Sequence, residues 1–379
     1  MKKLIPIFLA LITLFGVAGC SARTTSTSTT STTTTTAVDD TVIKYAKGFT
    51  IENLGNGIKK VTDGEKQTLI LVPAGKTVPS QYADAAQISI PIKSSVILAS
   101  TFAALMRPLG VMNTVVGSGT NENELYIDEL KAQYANGTTK YVGGGGMGAP
   151  DYEAITALKP DVVFCSTGYP DAVTFYQKME SLGLHVVVIN DFLENDALAR
   201  LEWMKVIAAF YQKDTVAQNY FNTVEKNINA TVAKVANVST KPNVMWGSIF
   251  MGAVYVSGAD SYTAKWVAQA GGSYAFSDLP GSGSATINLE ELYARGKTAN
   301  IFIYSSTPPY VNSIKEITDA NTVLADLTVL QYGKIYCMQP WFYQISDKPD
   351  EVVADLAYIF HPDLFPGYQL KDFMLLPAQ

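Results

Sequence analysis

Residues 41–92 set short apolar runs between breakers: Thr68-Leu69-Ile70-Leu71-Val72 runs into Pro73 and Gly75, with Pro79 and Pro91 beyond. Runs this short, punctuated by proline and glycine, predict a small β-rich extension that packs onto the domain after it. From Ser95 the pattern changes. Val96-Ile97-Leu98 precedes a helical stretch over 101–109, and Val115-Val116-Gly117 precedes another over 122–134. A short helix over 151–158 feeds a strand over 161–165, and a helix over 172–182 feeds a strand over 186–189. Strand and helix alternating in this way predict a parallel sheet covered by helices on both faces. Two helical patterns follow without a strand between them. Leu198, Leu201, Met204, Ile207 and Ala208 share one face of the first; Val216, Tyr220, Val224, Ile228 and Val232 share one face of the second. The second runs from Thr215 to about Ala236 and spans roughly 30 Å at 1.5 Å per residue, enough to cross between two domains. The α/β pattern then resumes with a strand over 243–246, helices over 261–270 and 287–294, strands over 301–304 and 334–338, and a closing helix over 349–359. The expected fold is α/β: two doubly wound α/β lobes joined by one long α-helix, with a small β-rich N-terminal extension. Its expected boundaries are 41–92 for the extension, 93–213 for the first lobe, 214–237 for the spanning helix and 238–379 for the second lobe.

Composition narrows what such a body does. With 47% hydrophobic and 16% charged residues, the 379-residue chain has enough apolar material for two cores. Its net charge of −6 argues against nucleic-acid binding, which needs clustered basic surface. Two histidines, His185 and His361, are too few for most zinc sites or receptors of bare ions, and neither is expected to ligate metal. Three cysteines exclude a disulfide scaffold, and Cys165 and Cys337 sit in apolar runs that read as buried strand. Aromatics make up 11% of the chain, more than a core requires.

The N-terminus carries an address. Lys2 and Lys3 precede an apolar run from Leu4 to Phe15, too short for a comfortable membrane span. The run ends in Val17-Ala18-Gly19-Cys20, which resembles the lipobox of secreted lipoproteins. That resemblance implies a signal peptide over 1–19, cleavage before Cys20, and a diacylglycerol anchor on its sulfur. Ser21 to Thr36 follows, with 14 of 16 residues Ser or Thr. Such a stretch buries nothing and reads as a solvated tether, so 20–40 is expected to leash the body to the outer face of a cell membrane, in the periplasm or at the cell exterior.

Four motifs in the body resemble the helix-linked (class III) substrate-binding proteins of ABC importers, the group that includes vitamin B12, haem and siderophore receptors. Asp151-Tyr152-Glu153-Ala154-Ile155-Thr156-Ala157-Leu158-Lys159-Pro160-Asp161-Val162-Val163 is similar to a first-lobe segment of that family. Ala270-Gly271-Gly272, Ile287 to Leu292 and Leu356 to Phe365 resemble its second-lobe helix stop, acidic helix and C-terminal ending. The resemblance covers about residues 90 to 367. It implies that Glu153 and Glu290 meet arginines of a membrane permease, with Glu291 an equally placed rival of Glu290. It also implies the permease and its ATPase subunits as partners, a monomeric state, and no enzymatic activity.

In open α/β sheets, ligands bind beyond the carboxyl ends of the strands. The loops expected there include Thr101, 118–123, 143–148, 166–169, 246–250, 305–310 and 339–343, and they carry Tyr169, Trp246, Phe250, Tyr310, Trp341, Phe342 and Tyr343. Flat rings at loop tips suit a large planar ligand such as a corrin, a porphyrin or a catecholate chelate. The expected ligand-binding residues are therefore Thr101, Tyr169, Trp246, Phe250, Tyr310, Trp341 and Tyr343. These loops hold no Arg or Lys, and Arg107 reads as lying away from the cleft, which favours a ligand of little net negative charge, although long side chains from elsewhere can reach in. No intrinsic cofactor, metal ligand or catalytic residue is expected. Gly143-x-Gly145-x-x-Gly148 matches a dinucleotide fingerprint formally, but its helix starts only after the motif. The leading expectation is a lipid-anchored receptor that delivers a metal chelate or cobamide to a permease. The alternatives are a surface haem- or chelate-binding protein outside transport, and a chelatase-like enzyme.

Overall fold

The computed structural model describes residues 41–379 apart from 146–147, 309 and 332–333. The expected signal peptide, Cys20 and the Ser/Thr tether lie outside the described residues. The extension is a sheet of β1 (Thr50–Gly55), β2 (Ile58–Thr62), β3 (Thr68–Pro73) and β4 (Ala86–Ile90), in that spatial order. Its first three strands are antiparallel and β4 runs parallel to β3.

The first lobe contains β5 (Ser95–Ile97), α1 (Ser100–Met106), β6 (Val115–Ser118), α2 (Asp128–Ala135) and β7 (Lys140–Tyr141). It continues through α3 (Tyr152–Leu158), β8 (Val162–Cys165), α4 (Ala172–Ser181), β9 (Val186–Val188) and α5 (Ala197–Phe210). All five strands are parallel, in the order β7-β6-β5-β8-β9.

Helix α5 departs from the one-faced pattern expected of it: it is buried almost all round. The cause is the extension, whose Phe49 packs its ring 4.8 Å from Trp203 and whose Ile92 N–H donates to the Phe210 carbonyl at 3.0 Å. Two charges buried in α5 hold the chain leading into β1. The Glu202 carboxylate accepts the backbone N–H groups of Lys44, Tyr45 and Ala46 at 2.8, 2.6 and 2.7 Å. Lys205 Nζ donates to Glu202 at 2.8 Å and to the Val42 carbonyl at 2.6 Å. Each charge thus has a counter-charge and hydrogen bonds, the condition under which buried ions are tolerated. Burial still pulls the Lys205 pKa below its ordinary value.

Helix α6 (Asp214–Val235) joins the lobes, with Ala217, Phe221, Val224 and Ile228 buried along one side. The second lobe comprises β10 (Asn243–Phe250), β11 (Ala253–Ser257), α7 (Tyr262–Gln269), β12 (Ser273–Tyr274), β13 (Ser284–Ile287) and α8 (Leu289–Gly296). After these come β14 (Ile301–Tyr304), α9 (Ile314–Ala320), α10 (Thr328–Gln331), β15 (Ile335–Met338), α11 (Pro349–Phe360) and β16 (Phe373–Leu375). Its sheet runs β13-β11-β10-β14-β15-β16, with β12 alongside the start of β10. It is mixed: β11 lies antiparallel to β10, and β16 antiparallel to β15. The two α/β lobes and the linking helix match the expected architecture.

Two of the motifs meet in space. α7 stops at Gly271, whose φ of 82° lies in the left-handed region. The Gly271 carbonyl is 3.1 Å from Nε2 of His361, in the C-terminal motif. A Cβ at Gly271 would lie 2.7 Å from that nitrogen. Gly271→Ala is therefore expected to cost about 1–3 kcal/mol, from left-handed strain and the clash together. A urea titration that leaves the midpoint unmoved would contradict this.

Candidate ligand cleft

The first-lobe sheet reverses its winding between β5 and β8, the topological switch point at which open α/β sheets bind ligands. Thr101 follows β5 in the first turn of α1, and Tyr169 follows β8, half-buried. In the second lobe the carboxyl ends of β10, β14 and β15 carry Phe250, Tyr310, Trp341 and Tyr343. Phe250 is 60% exposed and Tyr310 78%, unusual values for large rings at sheet edges.

The two sets of loops face each other. The Tyr126 N–H donates to Gln344 Oε1 at 2.8 Å, and Gln344 Nε2 donates to the Glu124 carbonyl at 2.7 Å. The Trp341 ring meets Tyr126 edge-on at 6.2 Å. Deeper in, Thr101 and Tyr343 line one small cavity of about 40 Å³ together with Arg200, Tyr262, Trp266 and Phe342. Thr101, Trp341 and Tyr343 are thus at the junction of the lobes. Tyr169, Phe250 and Tyr310 stand at the same sheet edges, but among the described residues no ring contact joins them to that junction.

Trp246 is not a cleft residue. Strand β10 continues four residues past it, and its side chain is 1% exposed, packed between Trp266 at 6.0 Å and Phe373 at 5.9 Å. The loop expected at 246–250 is the second half of a strand, returned through Met251-Gly252 into β11.

Long basic side chains from outside the loops do reach the junction. Arg200 lies on a helix, not a loop, yet its guanidinium reaches across to the second lobe and stacks 4.2 Å from the Tyr262 ring centroid. Its Nε and Nη2 donate to Asp191 Oδ2 at 3.1 and 2.9 Å. The available signal was one arginine inside the apolar run 197–210. Arg107 also joins the lobes: its Nη2 and Nε donate to the Asp347 carboxylate at 2.6 and 3.1 Å. Lys265 reaches Asp196 at 3.2 Å. The junction therefore contains basic groups, and the absence of Arg and Lys from the loops does not describe it.

Behind Trp341, Asp372 is buried and accepts the indole N–H at 3.4 Å, while its Oδ2 has no partner among the described residues. Burial, with Asp355 and Glu351 nearby, pushes its pKa up to about 7. The folded chain thus holds a proton there that the unfolded chain releases near pH 4. Between those values the folded state binds more protons, so stability falls as pH rises through that window. Asp372→Asn is expected to flatten this slope, leaving the variant more stable than the parent at pH 8 and equal to it near pH 4. Thermal melts across that range check it, and parallel profiles would contradict it.

Glu153 and Glu290 are both exposed in the first turns of α3 and α8, behind the N-caps Asp151 and Asn288. Glu291 instead pairs with Arg295 at 2.8 Å. Glu290 has no ion pair among the described residues.

Residues 96–340 match the profile of a family described as periplasmic binding protein. The chain belongs to that family. Its long α6 agrees with the helix-linked class within the family. An uncharacterized lipoprotein of Methanocaldococcus jannaschii is 30% identical over 358 residues, 88% of this chain and 85% of that one. Among solved structures, a periplasmic binding protein from Veillonella parvula superposes with a TM-score of 0.60 at 18% identity, over 83% of this chain and 98% of that one. A periplasmic heme binding protein from Pseudomonas aeruginosa superposes with a TM-score of 0.59 at 16% identity, over 76% and 100%. At those identities the superpositions establish the fold. In a periplasmic binding protein of this construction, the opposed sheet edges carrying Thr101 and Tyr343 form the candidate site.

Proposed function

We propose that this binding protein is the lipid-anchored receptor of an ABC importer, capturing a chelated metal compound (a corrinoid, a haem or an iron–siderophore) between its lobes and delivering it to a membrane permease. The observation that carries the reading is the set of exposed rings at the carboxyl ends of the second-lobe strands, Phe250, Tyr310, Trp341 and Tyr343, of which Trp341 and Tyr343 lie against the first lobe. Planar ligands bury large apolar faces against such rings. Arg200, paired with Asp191, puts a guanidinium at the junction beside the rings, which supports keeping anionic chelates among the candidates. The lipoprotein name of the Methanocaldococcus relative and the Val17-to-Cys20 motif support anchoring through Cys20. Two acyl chains hold a protein at a membrane far better than one. The function is capture and hand-over, without bond chemistry.

Titration with haemin, dicyanocobinamide and a ferric catecholate, followed by visible absorbance and tryptophan quenching, tests it. One of the three is expected to bind one-to-one with Kd of about 1 µM or tighter, and Tyr310→Ala with Tyr343→Ala to weaken it about tenfold or more. Failure of all three to bind would overturn the reading.

A further inference from the structure

The extension does more than cover α5. Its β2–β3 turn is fixed to the carboxyl edge of the first-lobe sheet. The buried Asp63 carboxylate accepts N–H groups from Glu65 and Gln67 within the turn, at 3.0 and 2.9 Å, and from Val188 of β9 at 2.9 Å. The Gly64 N–H donates to the Val188 carbonyl at 2.9 Å, and Glu65 accepts from the Thr167 hydroxyl just after β8. The turn therefore sits over the carboxyl ends of β8 and β9.

Beside it lies a cavity of about 640 Å³, walled by all three parts of the molecule: Lys47 and Lys66 from the extension, Asn190 and Leu193 from the first lobe, Asp260 and Ser282 from the second. That volume is within the range of small-molecule sites. Each wall carboxylate has one oxygen taken up by N–H groups. Glu194 Oε1 accepts the N–H groups of Lys47 and Gly48 and the Trp203 indole, at 3.0, 2.8 and 3.1 Å. Asp260 accepts from the Gly281 N–H at 3.0 Å. The ammonium groups have no carboxylate partner among the described residues. Among the described residues, Lys47 has no ion pair and Lys66 Nζ donates only to the Gly48 carbonyl at 2.8 Å, leaving donors to spare. Lys66 holds a left-handed φ of 63°, a cost for a residue with a Cβ. Leu193, 57% exposed, places an apolar surface among these groups.

We propose that this side compartment binds an amphiphilic organic anion: an aromatic or alicyclic body resting on Leu193, with a carboxylate or sulfonate held by Lys47 and Lys66. Resting on the capture reading above, the anion is a peripheral acidic arm of the captured chelate. Lys47 and Lys66 both belong to the extension, outside the family match at 96–340.

The first probe is 1-anilinonaphthalene-8-sulfonate, titrated into the full chain and read by its own emission. Lys47→Ala with Lys66→Ala is expected to weaken binding about tenfold, and Lys47→Arg with Lys66→Arg to restore it. The exposed pair Lys226→Ala with Lys241→Ala is expected to leave it unchanged. No binding by the parent chain, or binding by the Lys47/Lys66 alanine variant equal to the parent, overturns the proposal. The second probe compares haemin with its dimethyl ester, and the ester is expected to lose affinity in the parent but not in the alanine variant. Haemin bound equally as acid and ester removes the assignment of the anion to the chelate's arm. Lysine-dependent sulfonate binding alongside failure of all three chelates removes the capture reading and leaves the compartment standing.

Discussion

Reversing both exposed first-turn glutamates in one chain, Glu153→Lys with Glu290→Lys, is expected to cut ligand uptake by cells at least about tenfold, while capture by the purified protein stays within about twofold. A docking face recognised by permease arginines turns from attractive to repulsive, and like charges at an interface cost several kcal/mol. Since about 1.4 kcal/mol is a factor of ten, tenfold is a conservative expectation. Both side chains are exposed and neither is ion-paired among the described residues, so folding and the cleft should be untouched. Glu291→Lys makes an informative comparison, because it breaks the Arg295 pair instead and should disturb α8 locally. Uptake of labelled ligand beside equilibrium binding checks the prediction. Unchanged uptake with intact binding would remove the docking assignment and favour a surface chelate-binding protein outside transport.

The second large effect is at the Arg107–Asp347 pair that joins the lobes. Arg107 grips Asp347 through two nitrogens, and Asp347 is almost fully buried. Arg107→Ala strands that carboxylate and is expected to cost about 3–5 kcal/mol at neutral pH. Burial already holds the Asp347 pKa above its ordinary value, and losing the guanidinium raises it further. As pH falls through that raised pKa, the folded variant takes up a proton that the unfolded chain does not yet hold. The deficit relative to the parent therefore shrinks in acid. Adding Asp347→Asn to Arg107→Ala should recover much of the loss at neutral pH, because no buried charge is left unpaired. Denaturant titrations at two pH values read all three chains. The same pair limits lobe motion: the parent should change little in radius of gyration on ligand addition, and a large compaction would contradict a stiff connection.

The fold was legible because its strongest signals are periodic. Parallel strands such as Val162–Cys165 and Ile301–Tyr304 are continuous apolar runs, and α6 carries a clear helical face. The second lobe was harder to read where strands run antiparallel: β11 and β13 lie in a stretch with a Met-Gly turn and a Gly-Ser run that mimics loop. That misreading turned Trp246 from a core residue into a cleft candidate, since an apolar run gives no sign of where a strand stops. The site was legible in outline, as carboxyl-end loops with exposed rings. Its charged groups were not. Arg107 and Arg200 act across the lobes, and a residue near 100 or 200 meeting one near 262 or 347 is tertiary information that no local spacing carries. Likewise, the extension read as a packing element, and its Asp63 anchor shows that it is also hydrogen-bonded to the carboxyl end of β9.

The capture of a metal chelate between the lobes is tested most directly by purifying the protein from its native host and recording the mass and visible spectrum of what comes with it. The account predicts one small molecule per chain, containing a metal ion and absorbing visible light, that is lost when Tyr310 and Tyr343 are both changed to alanine. A co-purifying compound without metal, or a chelate retained undiminished by the Tyr310/Tyr343 alanine variant, would contradict it.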